Sequence, residues 1–163
     1  MDDQLEIERK FLVSDLPDLS KLTLVRYERY YVYQTDGIEV RVQKKGDAFE
    51  FERKVQTDVL TRETQKIQIT EGEFDFFKNI ANRSIIRVSY IIETTPKISI
   101  KMYEGVFQGL VRAEVEFDSA EAAYAFEPPV WFGREITENP LGRDGLLIKL
   151  NENEFRQLLE NTG

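Results

Sequence analysis

The chain has 163 residues and a formal charge of -8, with 41% hydrophobic and 32% charged residues. It is long enough for one domain with a real core, and its acidic balance argues against a generic nucleic-acid coat. It has neither cysteine nor histidine, which excludes disulfides, thiolate chemistry, zinc or histidine–metal centres and any triad that needs an imidazole base.

Taken in chain order, strand patterns dominate. Glu6 to Val13 alternates, so Glu6, Glu8 and Lys10 share one face of a strand. Two carboxylates and an ammonium projected together matter little in bulk water and a great deal in an enclosed polar cavity. Ser14 to Ser20 reads as a loop, and Leu24 to Tyr33, rich in aromatic and β-branched residues, as a strand. Thr35-Asp36-Gly37 is a turn, followed by the clean alternation of Ile38, Val40 and Val42 with Glu39, Arg41 and Gln43. Lys45-Gly46-Asp47 is a second turn. Phe49 and Phe51 then alternate with Glu50, Glu52 and Lys54, which leaves Arg53 facing outward.

Arg62 to Thr70 repeats the period, with Arg62, Thr64, Lys66 and Gln68 on one face. In Glu71 to Ala81 the period changes. Phe74, Phe77 and Ile80 predict an amphipathic helix, capped by Thr70 with Glu73 three residues on. Ile85 to Thr94 and Lys97 to Tyr103 predict a hairpin through Thr95-Pro96. Leu110 to Phe117 is a further strand. Ser119 is placed to cap a helix over Ala120 to Phe126, which Pro128-Pro129 stops. After a loop rich in Gly and Pro, 144–150 predicts a short helix, and Glu152 to Glu160 a terminal one capped by Asn151 or Asn153.

About eight strands result, nearly all with one apolar and one charged face. An open sheet would simply solvate the charged faces. A closed sheet with a polar lumen accounts for them as well, and the pattern alone does not separate the two. With no histidine or cysteine, chemistry must run on carboxylates, Lys, Arg and Tyr, with a hard cation such as Mg²⁺ or Mn²⁺ as an option open to them.

Glu6-Ile7-Glu8-Arg9-Lys10-Phe11-Leu12-Val13 closely resembles the Glu-x-Glu-x-Lys opening of the CYTH family, the triphosphate tunnel metalloenzymes. Further matches follow in order. Glu39-Val40-Arg41-Val42 is similar to the family's Glu-x-Arg strand, and Lys54, Arg62 and Arg87 stand at its basic positions, with Tyr90 after Arg87. Ala113-Glu114-Val115-Glu116-Phe117 resembles its Val-Glu-x-Glu strand. Ala120 to Gly133 resembles the segment before the family's final Glu-Val-Thr, here Glu135-Ile136-Thr137.

The resemblance implies a mainly β (α+β) fold, an eight-stranded antiparallel closed β-barrel or tunnel with peripheral helices. It implies a single domain over 1–163, with C-terminal helices at about 144–161. It also implies metal-dependent hydrolysis of an inorganic, nucleoside or organic triphosphate by a triphosphatase. Glu6, Glu8, Glu114 and Glu116 would hold Mg²⁺ or Mn²⁺. Lys10 would be the catalytic lysine, and Lys10, Arg41, Lys54, Arg62, Arg87 and Arg112 would bind phosphate. Such side chains suit the task, since guanidinium and ammonium groups grip phosphate oxygens by charge-assisted bonds.

The chain also departs from the family pattern. Thr64 and Lys66 stand where the family carries two glutamates, Lys101 where it carries an aspartate, and Gln43 where it carries a second arginine. Ser89, Leu141 and Gly142 replace further polar positions, with Arg143 nearby. A lysine in place of an acid removes a ligand and sets a cation where a metal would sit. Glu50 and Glu52 share the parity of Lys54 and are placed to pair with Lys66 or Lys101. The intact Glu6, Glu8 and Lys10 cluster makes hydrolysis the leading expectation. Thr64, Lys66 and Lys101 support the alternative, a catalytically impaired module that binds a phosphorylated anion. Adenylate cyclase comes last, because no separate base-recognition feature is present.

The expected partner is a small triphosphate or polyphosphate anion, with no nucleic acid and no membrane; a homodimer is compatible with the chain. No stretch has the length and apolarity of a membrane span, and the start lacks a basic-then-apolar signal segment, so a cytoplasmic location is expected.

Overall fold

The computed structural model of the chain describes residues 2–81 and 83–161. Eight antiparallel strands close on themselves: β1 (Asp2–Val13), β2 (Leu24–Thr35), β3 (Ile38–Lys45), β4 (Ala48–Gln56), β5 (Thr61–Gln68), β6 (Ser84–Ile92), β7 (Lys97–Tyr103) and β8 (Val111–Phe117). The strands run β5-β4-β3-β2-β6-β7-β8-β1, and a β5–β1 pairing completes the ring. The seam is β1. Its first half pairs with β5, from Asp2↔Lys66 to Ile7↔Thr61, and its second half with β8, from Ile7↔Phe117 to Leu12↔Arg112. The closed-sheet alternative therefore holds, and full closure removes the exposed strand edges of an open sheet.

Local chemistry explains the turns. Asp36 and Gly37 lie at φ 38° and 80°, the two positive angles that a tight hairpin matched to strand twist requires. The helix α1 (Glu71–Ile80) has the expected capping box: Glu73 N donates to Thr70 Oγ1, and Thr70 N donates to Glu73 Oε2. Its anchor is Phe74, whose ring lies 5.1 Å from that of Phe49 and 5.7 Å from that of Tyr30. Ile80, expected on the same face, is 59% exposed. A three-residue step falls about 60° short of a full turn, so by the third position the stripe has rotated away from the barrel. Arg53 is exposed, as its parity predicts.

Three further pieces clothe the barrel. The helix α2 (Ala120–Ala125) is capped by Ser119 and packs on β1 and β8. A short strand β9 (Phe132–Glu135), inside the segment read as loop, pairs with the second half of β1. Arg9 stitches these together, bonding both carboxylate oxygens of Glu135 and the carbonyls of Ala123 and Phe126. The third piece, a 3-10 turn at Pro140–Gly142 with α3 (Asp144–Leu147) and α4 (Glu152–Glu160), covers one end of the barrel. The helix predicted over 144–150 is thus shorter, and Asn151 caps α4 through Glu154 N.

The apolar clusters lie outside the barrel wall and at the covered end. Phe11, Ile98, Ala113, Val115 and Phe132 form one, under α2 and β9. Tyr31, Ile85, Tyr103, Leu110, Leu141, Leu147 and Phe155 belong to the other. Among the larger aromatics of wall and helices, Phe74 is buried, while Phe49, Phe51, Phe77, Phe117 and Trp131 are half-buried. Among the described residues, no helix is long and apolar enough to cross a membrane.

Truncating Phe74 removes the one fully buried side chain of α1. Phe74→Ala should lower unfolding free energy by about 3 kcal/mol in urea titration, whereas Phe76→Ala, at a ring 66% exposed, should stay within about 0.5 kcal/mol of the parent.

Candidate functional site

The inward faces of the strands enclose a cavity of about 890 Å³. Because the strand period is two, each wall contributes every second residue: Glu6, Glu8 and Lys10 from β1; Tyr27 and Arg29 from β2; Arg41 and Gln43 from β3; Glu52 and Lys54 from β4; Arg62 and Lys66 from β5. Across the lumen stand Arg87 and Ser89 from β6, Lys97 and Lys101 from β7, and Arg112, Glu114 and Glu116 from β8. Every residue named in advance as a ligand or phosphate group therefore lines one cavity. Among the described residues the lining holds eleven basic and seven acidic side chains. The lumen is thus positive within an acidic protein and attracts anions.

The cavity has a closed and an open end. Along β8, side-chain exposure rises from 2% at Arg112 through 5% at Glu114 to 52% at Glu116. Along β1 it rises from 6% at Lys10 to 16% at Glu6. The covered end is the one under α3.

Inside, each buried carboxylate has a cationic partner. Lys54 Nζ donates to Glu6 at 2.5 Å, and Lys101 Nζ to Glu114 at 2.5 Å. Arg112 grips the other oxygen of Glu114 at 2.6 Å. Glu8 lies 3.3 Å from Lys10 and 4.0 Å from Arg62. Arg41 holds Glu52 at 2.7 Å and bonds Tyr31 Oη at 3.1 Å. Lys66 reaches Glu52 at 3.7 Å, the cross-strand pairing anticipated for it, while Lys101 turns to Glu114. Gln43 donates to Glu50 and Glu52. Arg62, also 3.6 Å from Glu39, has the loosest contacts of the arginines here.

These partners set the protonation states. Burial opposes ionisation of Glu6, yet Lys54, Arg62 and Lys66 hold its carboxyl well below the usual range. Burial and Glu114 work against charge on Glu8, and Lys10 and Arg62 overcome them. Glu116 goes the other way. Partial burial and the facing Glu8, its cross-strand partner, push it up. Burial brings Lys54 down to about 7, helped by Arg62 and Arg41. It also brings Lys101 down to about 7, with Arg87 adding to it.

The expected metal ligands do not fit a resident divalent cation in this arrangement. Glu6, Glu8 and Glu114 are each engaged by the chain's own cations, and Glu116 sits at the exposed end, 3.7 Å from Lys97. Among the described residues no three acidic side chains gather so as to hold a metal ion.

Four residues at the closed end were not foreseen. Arg29, stacked over Tyr27 at 5.3 Å, bonds Gln43 and Asp144. Tyr31 and Tyr103 supply hydroxyls at the closed end. Asp144 reaches in from α3. The period-2 parity of Tyr27, Arg29 and Tyr31 was the available signal for β2; Asp144 has none in its local sequence.

No family model matches the chain. An inorganic triphosphatase of Nitrosomonas europaea is 33% identical over 137 residues, 82% of this chain and 90% of that protein. An inorganic triphosphatase of Acetivibrio thermocellus is 27% identical over 156 residues, 93% and 98% of the two chains. A crystal structure of an inorganic triphosphatase superposes with TM-score 0.68 at 31% identity, covering 90% of this chain and 95% of the other. A Pyrococcus horikoshii protein, at 14% identity and TM-score 0.56, shares the fold alone.

The two perturbed lysines are open to direct measurement. The ¹³Cε signals of Lys54 and Lys101 should titrate near pH 7, against about 10.4 for an unperturbed lysine. Between those values the unfolded chain binds more protons at these sites than the folded one. Their contribution to stability therefore rises with pH from about 7 to about 10.4. Titration of both at the ordinary value would show that neither is desolvated.

Proposed function

Since this chain belongs to the CYTH family of triphosphate tunnel metalloenzymes, we propose that its barrel holds a small triphosphate or polyphosphate anion through inward lysines and arginines. Lys10, Arg41, Lys54, Arg62, Arg87 and Arg112 are the phosphate-binding set in this reading. One observation carries it. Among the described residues the lumen presents eleven basic side chains, while Glu6, Glu8 and Glu114, which would otherwise hold a metal, are paired with Lys54, Lys10, Lys101 and Arg112. Cations of the chain then do the electrostatic work of a divalent ion. They draw the anion in, and charge-assisted bonds to its oxygens replace its hydration. The perturbed lysines regain full charge when an anion arrives, because a nearby negative charge favours the ammonium form.

A second reading is favoured by the relatives, which are named inorganic triphosphatases. It is Mg²⁺- or Mn²⁺-dependent hydrolysis of the bound triphosphate. It requires Glu6, Glu8, Glu114 and Glu116 to be released from their lysines and Lys10 to face the phosphate chain.

Calorimetric titration with inorganic triphosphate in EDTA tests the first reading. Binding in the micromolar range, about -8 kcal/mol, is expected without added metal. Arg62→Gln removes the most loosely committed guanidinium and should weaken it about tenfold, or about 1.4 kcal/mol. Binding that needs Mg²⁺ would reject the metal-free reading. Phosphate release from triphosphate with Mg²⁺ or Mn²⁺, at a rate above that of Glu6→Gln/Glu8→Gln, would establish the second reading. Release at the control rate would leave binding alone.

A further inference from the structure

At the closed end, one carboxylate collects an unusual set of donors. Asp144 Oδ2 accepts from Arg29 Nη1 at 2.7 Å and from Arg87 Nε at 3.3 Å. Its Oδ1 accepts from Arg112 Nη2 at 3.1 Å and from Tyr103 Oη at 2.5 Å. Three guanidinium groups thus converge on one carboxylate, with Arg112 also bound to Glu114 at 2.6 Å, in a site where the Asp144 side chain is 2% exposed. A carboxylate has about four lone-pair directions, and all are taken. The donors come from β2, β6, β7 and β8, and the acceptor from outside the barrel, on α3. This is the geometry of an anion seat built by the wall and filled from the plug.

The plug is held firmly. Arg112 Nη1 donates to Leu141 O at 3.1 Å, Gln34 Nε2 to Gly145 O at 2.8 Å, and Arg143 Nη2 to Glu39 at 3.1 Å. Gly145 allows this contact, since a Cβ there would lie 1.8 Å from Glu39 Oε1. Asp144 is therefore delivered to one place.

We propose that the Asp144 carboxylate is the chain's own occupant of an anion seat at the closed end of the tunnel, and that it limits how long a phosphate chain the tunnel accepts. The inference rests on the reading that the tunnel binds a phosphate chain. A ligand entering from the Glu116 end advances toward Arg112 and stops where Asp144 already holds the guanidiniums. A longer chain then projects toward the mouth, where the exposed Glu116 carboxylate lies 3.7 Å from Lys97 and offsets its charge. Were the carboxylate absent, a terminal phosphate would fill the seat, because a phosphate matches three guanidiniums better than one carboxylate does.

The test compares pyrophosphate, triphosphate and tetraphosphate by calorimetry in the parent, in Asp144→Ala and in the isosteric Asp144→Asn. The parent should bind triphosphate and tetraphosphate within about threefold of each other. Asp144→Ala should prefer tetraphosphate at least tenfold, and Asp144→Asn should shift the same way. A second readout needs no tunnel ligand: orthophosphate at millimolar concentration should raise the melting temperature of Asp144→Ala and leave that of the parent unmoved. If both variants lose stability but keep the parent's chain-length ratio, and orthophosphate does not rescue Asp144→Ala, Asp144 is a structural ion-pair partner and the proposal is wrong. If the parent binds no phosphate chain while orthophosphate still rescues Asp144→Ala, the seat stands and the reading of the tunnel falls.

Discussion

Charges turned into a closed sheet must neutralise one another, and the rest of this structure follows from that constraint. A lone carboxylate taken out of water costs several kcal/mol, and an excellent partner repays only part of that. The barrel meets the requirement by placing an acid and a base on neighbouring strands, along one strand, or one strand apart across β5. Glu52 sits between Arg41 and Lys66 in register. Glu114 is shared by Lys101 and Arg112, and Glu6 is bound to Lys54. With the interior given over to ions, apolar burial moves outward, to α1 over Phe49 and Phe51, to α2 and β9 over Phe11, and to the C-terminal helices over the end of the barrel.

The same constraint gives the departures at 64, 66 and 101 their meaning. An acid replaced by lysine in such a lumen is not a local change, because the new ammonium must find a carboxylate. Lys101 takes Glu114, and Lys66 leans on Glu52. The carboxylates thereby become half of protein ion pairs rather than free ligands. Guanidinium planes are steadied by aromatic faces as well. Arg87 lies 4.4 Å from the Tyr27 ring centre and Arg112 5.2 Å from that of Tyr103.

Much of this could be read from one-dimensional pattern. The alternation in β1, β3, β4 and β8 placed Glu6, Glu8, Lys10, Arg41, Lys54, Arg112 and Glu114 on inward faces, because a side-chain period of two survives any tertiary arrangement. Whether those faces met water or one another was not local information; it depended on β1 pairing on both sides. Arg29 was hidden by β2, where aromatics fall on both faces and a register shift between Tyr31 and Tyr33 breaks the period. β9 was hidden because Phe132-Gly133-Arg134-Glu135 has no alternation, and it is a strand only because β1 offers it an edge. Asp144 lies in a four-residue helix whose role is set by three arginines 32 to 115 positions away.

The seam strand has a consequence for how the molecule comes into being. β1 must find β5 some 60 residues on and β8 about 100 residues on, so closing the ring through β8 spans more sequence than any other pairing among the eight barrel strands and is its costliest loop closure. The remaining strands are mostly hairpin neighbours and can zip locally. Glu6, Glu8 and Lys10 ride on that last-fitting strand. A chain that has its hairpins but not its seam therefore has almost all of its secondary structure and none of its acid–base cluster. Topological closure and the assembly of the charged lumen arrive in one event.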